Sequence, residues 1–292
     1  MKIKLLLLII FISNIIIAQT SYGTGAGQIG NASSYFGVRA GEFATGDHNT
    51  LIGYTSGRSL TSGDRNTFIG SHSGISTTTG VENVFLGVSA GADNQEGSYN
   101  TFLGRYAGKQ NLSGNKNVFL GFQAGYFNKG SNNVFIGAAA GSNERGSNKF
   151  YLDNTSTSTP LLYGDFSTNQ LGINTNNIPS GYAFAVKGKA IAEEVKVQLQ
   201  SAWPDYVFDV NYNLISLKEV ETYIQSHGHL PEVPSAAEVK ASEGIALGEM
   251  NTTLLKKIEE LTIYTIEQDK EIERLKKIEE RLERIEKLLE KK

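Results

Sequence analysis

The 292-residue chain contains no cysteine, which excludes both a disulfide framework and a lipidated cysteine anchor. Proline is scarce, at 5 residues against 32 glycines, so turns fall to Gly and Asn, and collagen or linker character is excluded. Positive charge is not in excess either. A net charge of -3 denies the chain the basic face that a nucleic-acid partner requires. Long apolar runs are confined to the start, where Leu5–Ile12 and Ile15–Ile17 follow Lys2 and Lys4 and are separated by Ser13 and Asn14. That stretch falls short of the roughly 20 apolar residues of a membrane span. With Ala18 and Gln19 as a cleavage point, residues 1–18 read as a secretory signal peptide. The mature chain is therefore expected to be exported, without a membrane span, and to begin with a flexible N-terminus over residues 19–32.

What the chain does contain is a repeat. The pattern Gly-x-x-Asn-x-Phe-Leu/Ile-Gly-x-x-Ala/Ser-Gly recurs between residues 33 and 150, most clearly at Gly63 to Gly74 and Gly114 to Gly125. Its Asn falls at Asn49, Asn66, Asn83, Asn100, Asn117 and Asn133, a period of 17 that ends on a step of 16. A fixed period of this size means stacked units, since no unit buries its own apolar residues without neighbours. About 270 mature residues suffice for two globular domains, but the repeat predicts one elongated domain with a smaller appendage.

Each copy places two large apolar residues side by side, and neighbours on a strand point to opposite faces. Phe68, Phe85, Phe102, Phe119 and Phe135 are taken as the repeat core. Ile69, Leu86, Leu103, Leu120 and Ile136 then need cover, either from further copies of the chain or from the loops of a wide single-chain solenoid. The Asn row is placed as a ladder at the strand start, each amide bonding its neighbours in the stack. Tyr106 is placed on an exposed corner. The glycines supply positive φ or close strand approach at the corners.

The segment Asn-x-Phe-Ile-Gly-x-x-Ser/Ala-Gly, repeated over about 120 residues, resembles the head repeat of YadA-like trimeric autotransporter adhesins. That resemblance implies a left-handed parallel β-roll assembled as a homotrimer. The period of 17 and the strand Phe depart from the family pattern.

Residues 151–202 are expected to form capping strands and a neck. Residues 203–246 read as a small α+β module with capping boxes at Ser216/Glu219 and Ser235/Glu238 and stops at Gly228 and Gly244. Its aromatic mass is assigned to Trp203, Tyr206 and Phe208. From residue 247 to 292 the period changes to heptads, with a coiled-coil seam that includes Leu254, Ile258, Leu261, Ile272, Leu275, Leu282 and Ile285. Ile258/Leu261 and Ile272/Leu275 put Ile at a and Leu at d, which favours dimers, whereas Leu282/Ile285 inverts the order toward larger bundles. The roll resemblance implies three chains. Trp203 to Phe208, His229 to Pro231, Pro234 to Ala236 and Leu247 to Leu261 together resemble the C-terminal region of bacterial tail-fibre-type proteins. No Ser-Asp opening with a placed lysine marks the self-cleaving peptidase S74 chaperone found on some fibres.

Several tempting motifs are absorbed by the repeat. Gly87 to Gly91 matches the hydrolase elbow around Ser89, but equivalent corners carry Thr55, Tyr106 and Ala139. Gly25 to Gly30 matches a dinucleotide fingerprint without the strand and helix that it requires. His227 and His229 lack a third metal ligand at convincing spacing. Glu259-Glu260 and Glu279-Glu280 are placed on the wet side of the coiled coil. No catalytic, cofactor or metal site is expected. The functional expectation is an exported, non-catalytic fibre-like protein, structural or adhesive, secreted or on the cell surface, partnered by itself and by an unknown protein or glycan ligand. A phage-derived or injection-particle fibre is the alternative, with a carbohydrate-active solenoid enzyme behind it.

Overall fold

Stacking between coils organises the described residues as far as Leu152. The computed structural model describes residues 20–23, 26–27, 32–198 and 203–290; the expected signal peptide lies outside them. The chain divides into two units between Ile191 and Ala192.

In the first unit, twelve strands follow one another in chain order in a single sheet. They are β1 (Thr20–Tyr22), β2 (Ser34–Phe36), β3 (Thr50–Ile52), β4 (Thr67–Ile69), β5 (Val84–Leu86), β6 (Thr101–Leu103), β7 (Val118–Leu120), β8 (Val134–Ile136), β9 (Lys149–Leu152), β10 (Leu162–Asp165), β11 (Gln170–Ile173) and β12 (Phe184–Val186). The pairings from β1 to β9 are all parallel and in register, so that Phe85 faces Phe102 and Leu86 faces Leu103. This is a parallel β-solenoid of about nine turns, some 38 Å along its axis at the usual strand spacing. Stacking starts earlier than the repeat pattern predicts. Thr20–Tyr22, within the stretch expected to be flexible, pairs with β2, because backbone pairing asks little of the side chains.

The coil from Asn100 to Lys116 shows how one period closes. Gly104 sits at φ 135°, and a Cβ there would lie 2.4 Å from the Gly121 carbonyl oxygen. Gly108 lies at φ 57°, where a Cβ would meet the Phe102 ring at 2.4 Å. Two further positions take positive φ without glycine, Tyr106 at 63° and Lys116 at 57°. Each costs about 1–2 kcal/mol against the right-handed region, and hydrogen bonds along the stack hold them there. Tyr106 N–H donates to Val88 O at 3.0 Å and Lys116 N–H to Ser98 O at 3.0 Å. Thus the turns, like the strands, bond from coil to coil.

The Phe side chains are fully buried. From Phe68 to Phe135 they stack with centroids 4.7–4.8 Å apart and planes within 5° of parallel. Tyr35 and Leu51 extend the row at one end. At the other, Tyr151 meets Phe135 edge-on at 5.2 Å. There the chain reverses, β10 pairing antiparallel with both β9 and β11. Across the reversal Lys149 pairs with Asp165. Burial opposes ionisation of Asp165, but hydrogen bonds from Lys149 and Ser167 outweigh it and hold the carboxyl down at about 2.

The second unit contains a 3-10 helix (Pro204–Phe208), α1 (Leu217–His227), α2 (Ala236–Ala241) and α3 (Leu247–Leu289). Ser216 and Ser235 each form a complete capping box with Glu219 and Glu238, and Gly228 closes α1 at φ 76°. The aromatic assignment needs correction. Trp203, Tyr206 and Phe208 are all more than 40% exposed, whereas Pro204 and Val207 are buried, because the short helix turns its apolar edge toward α3.

Two outcomes are expected. Phe102→Ala removes the middle of the ring stack and should cost about 3–5 kcal/mol, read as a lowered midpoint in thermal or chemical unfolding. For Asp165 the folded pKa lies below the ordinary value, so its contribution is present above about pH 4 and lost as pH falls through about 2. Asp165→Asn should therefore destabilise the first unit by about 1–2 kcal/mol at neutral pH, with parent and variant converging in acid melts near pH 2.

Candidate interaction surfaces

The Asn ladder is an internal site. Asn49, Asn66, Asn83, Asn100, Asn117 and Asn133 are all fully buried. Each follows a residue at positive φ, from His48 through Asn132, and its backbone N–H turns inward, where no main-chain carbonyl is offered. The preceding coil's side chain supplies the acceptor instead: Asn100 N–H donates to Asn83 Oδ1 at 2.9 Å and Asn117 N–H to Asn100 Oδ1 at 3.0 Å. The Asn100 Nδ2 amide then donates to Gly114 O at 2.9 Å. Ser33 opens the ladder by accepting from Asn49, and Lys149 closes it by donating to Asn133.

A second buried row was missed. Asn94, Asn111 and Asn128 are also fully buried, and Asn111 Nδ2 donates to Asn94 Oδ1 at 3.1 Å. Their spacing of 17 in the sequence was the available signal, but each stands in a turn where Asn reads as an ordinary loop residue.

Outside the core, Ile52, Leu86, Leu103 and Leu120 are each 38% exposed, and Val84 and Val118 beside them reach 42% and 40%. The strands therefore present an open apolar face whose composition the coil's own packing does not require. Tyr106, expected on an exposed corner, is half-buried, because its ring lies 6.2 Å from Tyr126 and 6.4 Å from Phe122.

In the second unit the seam residues of α3 are open. Leu254, Ile258, Leu261, Ile272, Leu275, Leu282 and Ile285 are between 43% and 62% exposed. The chain's own cover falls on another face, which corrects the placement of Glu259 and Glu260. Both are buried, at 9% and 7% exposure, while Glu279 and Glu280 are exposed. Tyr212 donates to Glu260, and Lys257 reaches Glu260 at 2.9 Å and Glu232 at 2.8 Å. Burial lowers the Lys257 pKa, but these two carboxylates outweigh it and raise it above its ordinary value. Ile215, Leu217, Val220 and Leu230 instead border the seam, forming with Leu254, Ile258 and Leu261 a groove of about 390 Å³. Beyond Tyr264, every described residue of α3 is exposed.

The remaining motifs occupy ordinary positions. Ser89 lies at φ 55° in the same corner column as Thr55, His72, Tyr106, Gln123 and Ala139. Gly27 donates to Ala40 O as part of a coil, while much of the motif from Gly25 to Gly30 lies outside the described residues. The ring of His227 stacks on Tyr223 at 4.1 Å, with His229 6.1 Å away. Among the described residues no group of three His, Cys, Asp or Glu is arranged to hold a metal, and no helix is long and apolar enough to cross a membrane.

Ser89→Ala places at that corner the residue that Ala139 already supplies. We expect a stability change within about 0.5 kcal/mol and no difference in hydrolysis of a chromogenic ester; loss of turnover in the variant would identify Ser89 as a nucleophile. No family model, curated protein or solved structure matches this chain.

Proposed function

We propose that this chain is a non-catalytic, fibre-like surface protein that works as a homotrimer, exported to be secreted or held at the cell surface, and structural or adhesive in role. The observation that carries the reading is the open seam of α3. A helix of 43 residues, about 65 Å long, keeps an apolar stripe bare while the chain covers a neighbouring face carrying buried carboxylates. Isolated helices gain most of their stability by packing such a stripe, and heptad spacing suits copies of the same helix.

The solenoid supports the same reading. Ile or Leu is kept at the outward strand position in coil after coil although it lies outside the core. Cover by other copies of the chain accounts for that constancy, and the resemblance to YadA-like heads favours three copies. The strands and the helix seam thus serve as two assembly surfaces in one protomer. The corners, whose residues vary between coils, are left as the display surface.

Light scattering on the mature chain should give three times the mass of a single chain. Replacing Ile272 and Leu275 together with Glu should reduce that mass while leaving the solenoid's far-ultraviolet signal unchanged, since neither residue belongs to the first unit. A parent that is monomeric at micromolar concentration defeats the proposal.

A further inference from the structure

Cations on the solenoid surface are held in two ways. Early cations are neutralised locally: Arg39 and Arg58 both pair with Glu42, and Arg65 pairs with Glu82. In the later coils Arg105, Lys109 and Arg145 form no ion pair among the described residues. They lie over aromatic rings instead. The Arg105 guanidinium stands 4.6 Å from the Tyr106 centroid, Lys109 Nζ 5.5 Å from that of Tyr126, and Arg145 5.7 Å from that of Phe127. The rings contact one another, Tyr126 meeting Phe127 edge-on at 4.5 Å. A cation held by a ring keeps its full charge; Arg105 and Lys109 share one coil, and Arg145 stands two coils further along the stack.

Alongside runs a polar groove of about 250 Å³ lined by Ser76, Asp93, Gln95, Gln110, Leu112 and Lys129. Its amides donate and accept hydrogen bonds and its carboxylate accepts them, which suits hydroxyl groups better than a bare anion. Asp93 lies close enough to act on the charge of Lys109. The negative charge of Asp93 opposes the approach of a densely charged polyanion. Hydroxyl-binding groups, half-buried rings and separated cations together describe one ligand chemistry.

We propose that the turn surface spanning residues 93–129 and Arg145 binds an acidic saccharide, its carboxylates meeting Arg105 and Lys109 and its hydroxyls meeting the groove of Asp93, Gln95 and Gln110. The inference rests on the display role proposed for the corners and names its ligand. It places recognition on the turns, leaving the strand face and the α3 seam free for assembly.

The test is calorimetric titration of the mature chain with oligogalacturonate and sialyllactose as acidic saccharides, maltohexaose as a neutral one, and polyglutamate as a non-sugar polyanion. Binding of at least one acidic saccharide is expected, with maltohexaose and polyglutamate weaker by roughly tenfold or more. Lys109→Gln and Tyr126→Ala should each weaken it by roughly tenfold. Arg65→Gln, on a cation already paired, should leave it unchanged, and unfolding midpoints check that every variant is folded. Equal binding of polyglutamate overturns the saccharide class, equal binding of maltohexaose overturns the acidic requirement, and silence toward both acidic saccharides overturns the site. Beads coated with the parent chain separate this from the wider reading. Adhesion to a protein-coated surface but not to immobilised oligogalacturonate or sialyllactose removes the saccharide site and leaves the adhesive role, whereas adhesion to no surface removes that role.

Discussion

Hydrogen bonding along the stack is the constraint from which the solenoid follows. A coil of 17 residues must turn corners, and at the one that leads into each strand the backbone leaves the geometry in which main chain can satisfy main chain. The residue two before each strand, as Lys116 shows, turns left-handed and swings the next N–H into the interior. An unsatisfied buried donor there costs about 1–3 kcal/mol. The Asn carbonyl of the preceding coil removes that cost, and its amide nitrogen satisfies a glycine carbonyl in the same stroke. With register fixed this way, like side chains are brought over like at strand spacing, and the Phe rings have little choice but to stack in parallel.

Most of the solenoid was legible because its constraints repeat. A period of 17, two large apolar residues side by side, and Asn before the strand each recur often enough to separate structure from coincidence. What escaped was information present only once or spread thinly. Thr20–Tyr22 pairs through its backbone and carries no repeat side chain. The row from Asn94 to Asn128 shares the period but occupies only part of the stack, giving way to Thr77, Leu60 and Ala44 toward the N-terminus.

The second unit was harder to read for a related reason. Capping boxes are local, so Ser216 and Ser235 declared themselves with their partner glutamates. The surroundings of Glu259 and Glu260 depend on residues about 50 positions earlier, among them Tyr212, and no local pattern announces that a loop will close over one face of a helix. A heptad pattern marks an apolar stripe but is silent about what happens to the other faces.

Because neighbouring coils are joined side by side, tension on the two ends of the stack loads one set of inter-coil bonds at a time. The end coil peels first, and each coil that detaches releases a length of chain of roughly 55–60 Å when fully extended, many times the 4.8 Å or so that it occupied in the stack. The solenoid thus behaves as a folded reserve of contour length, yielding in equal steps under load. Where the peeling starts depends on which end is better closed, and the strand reversal at β10, tied by Lys149 and Asp165, secures one of them.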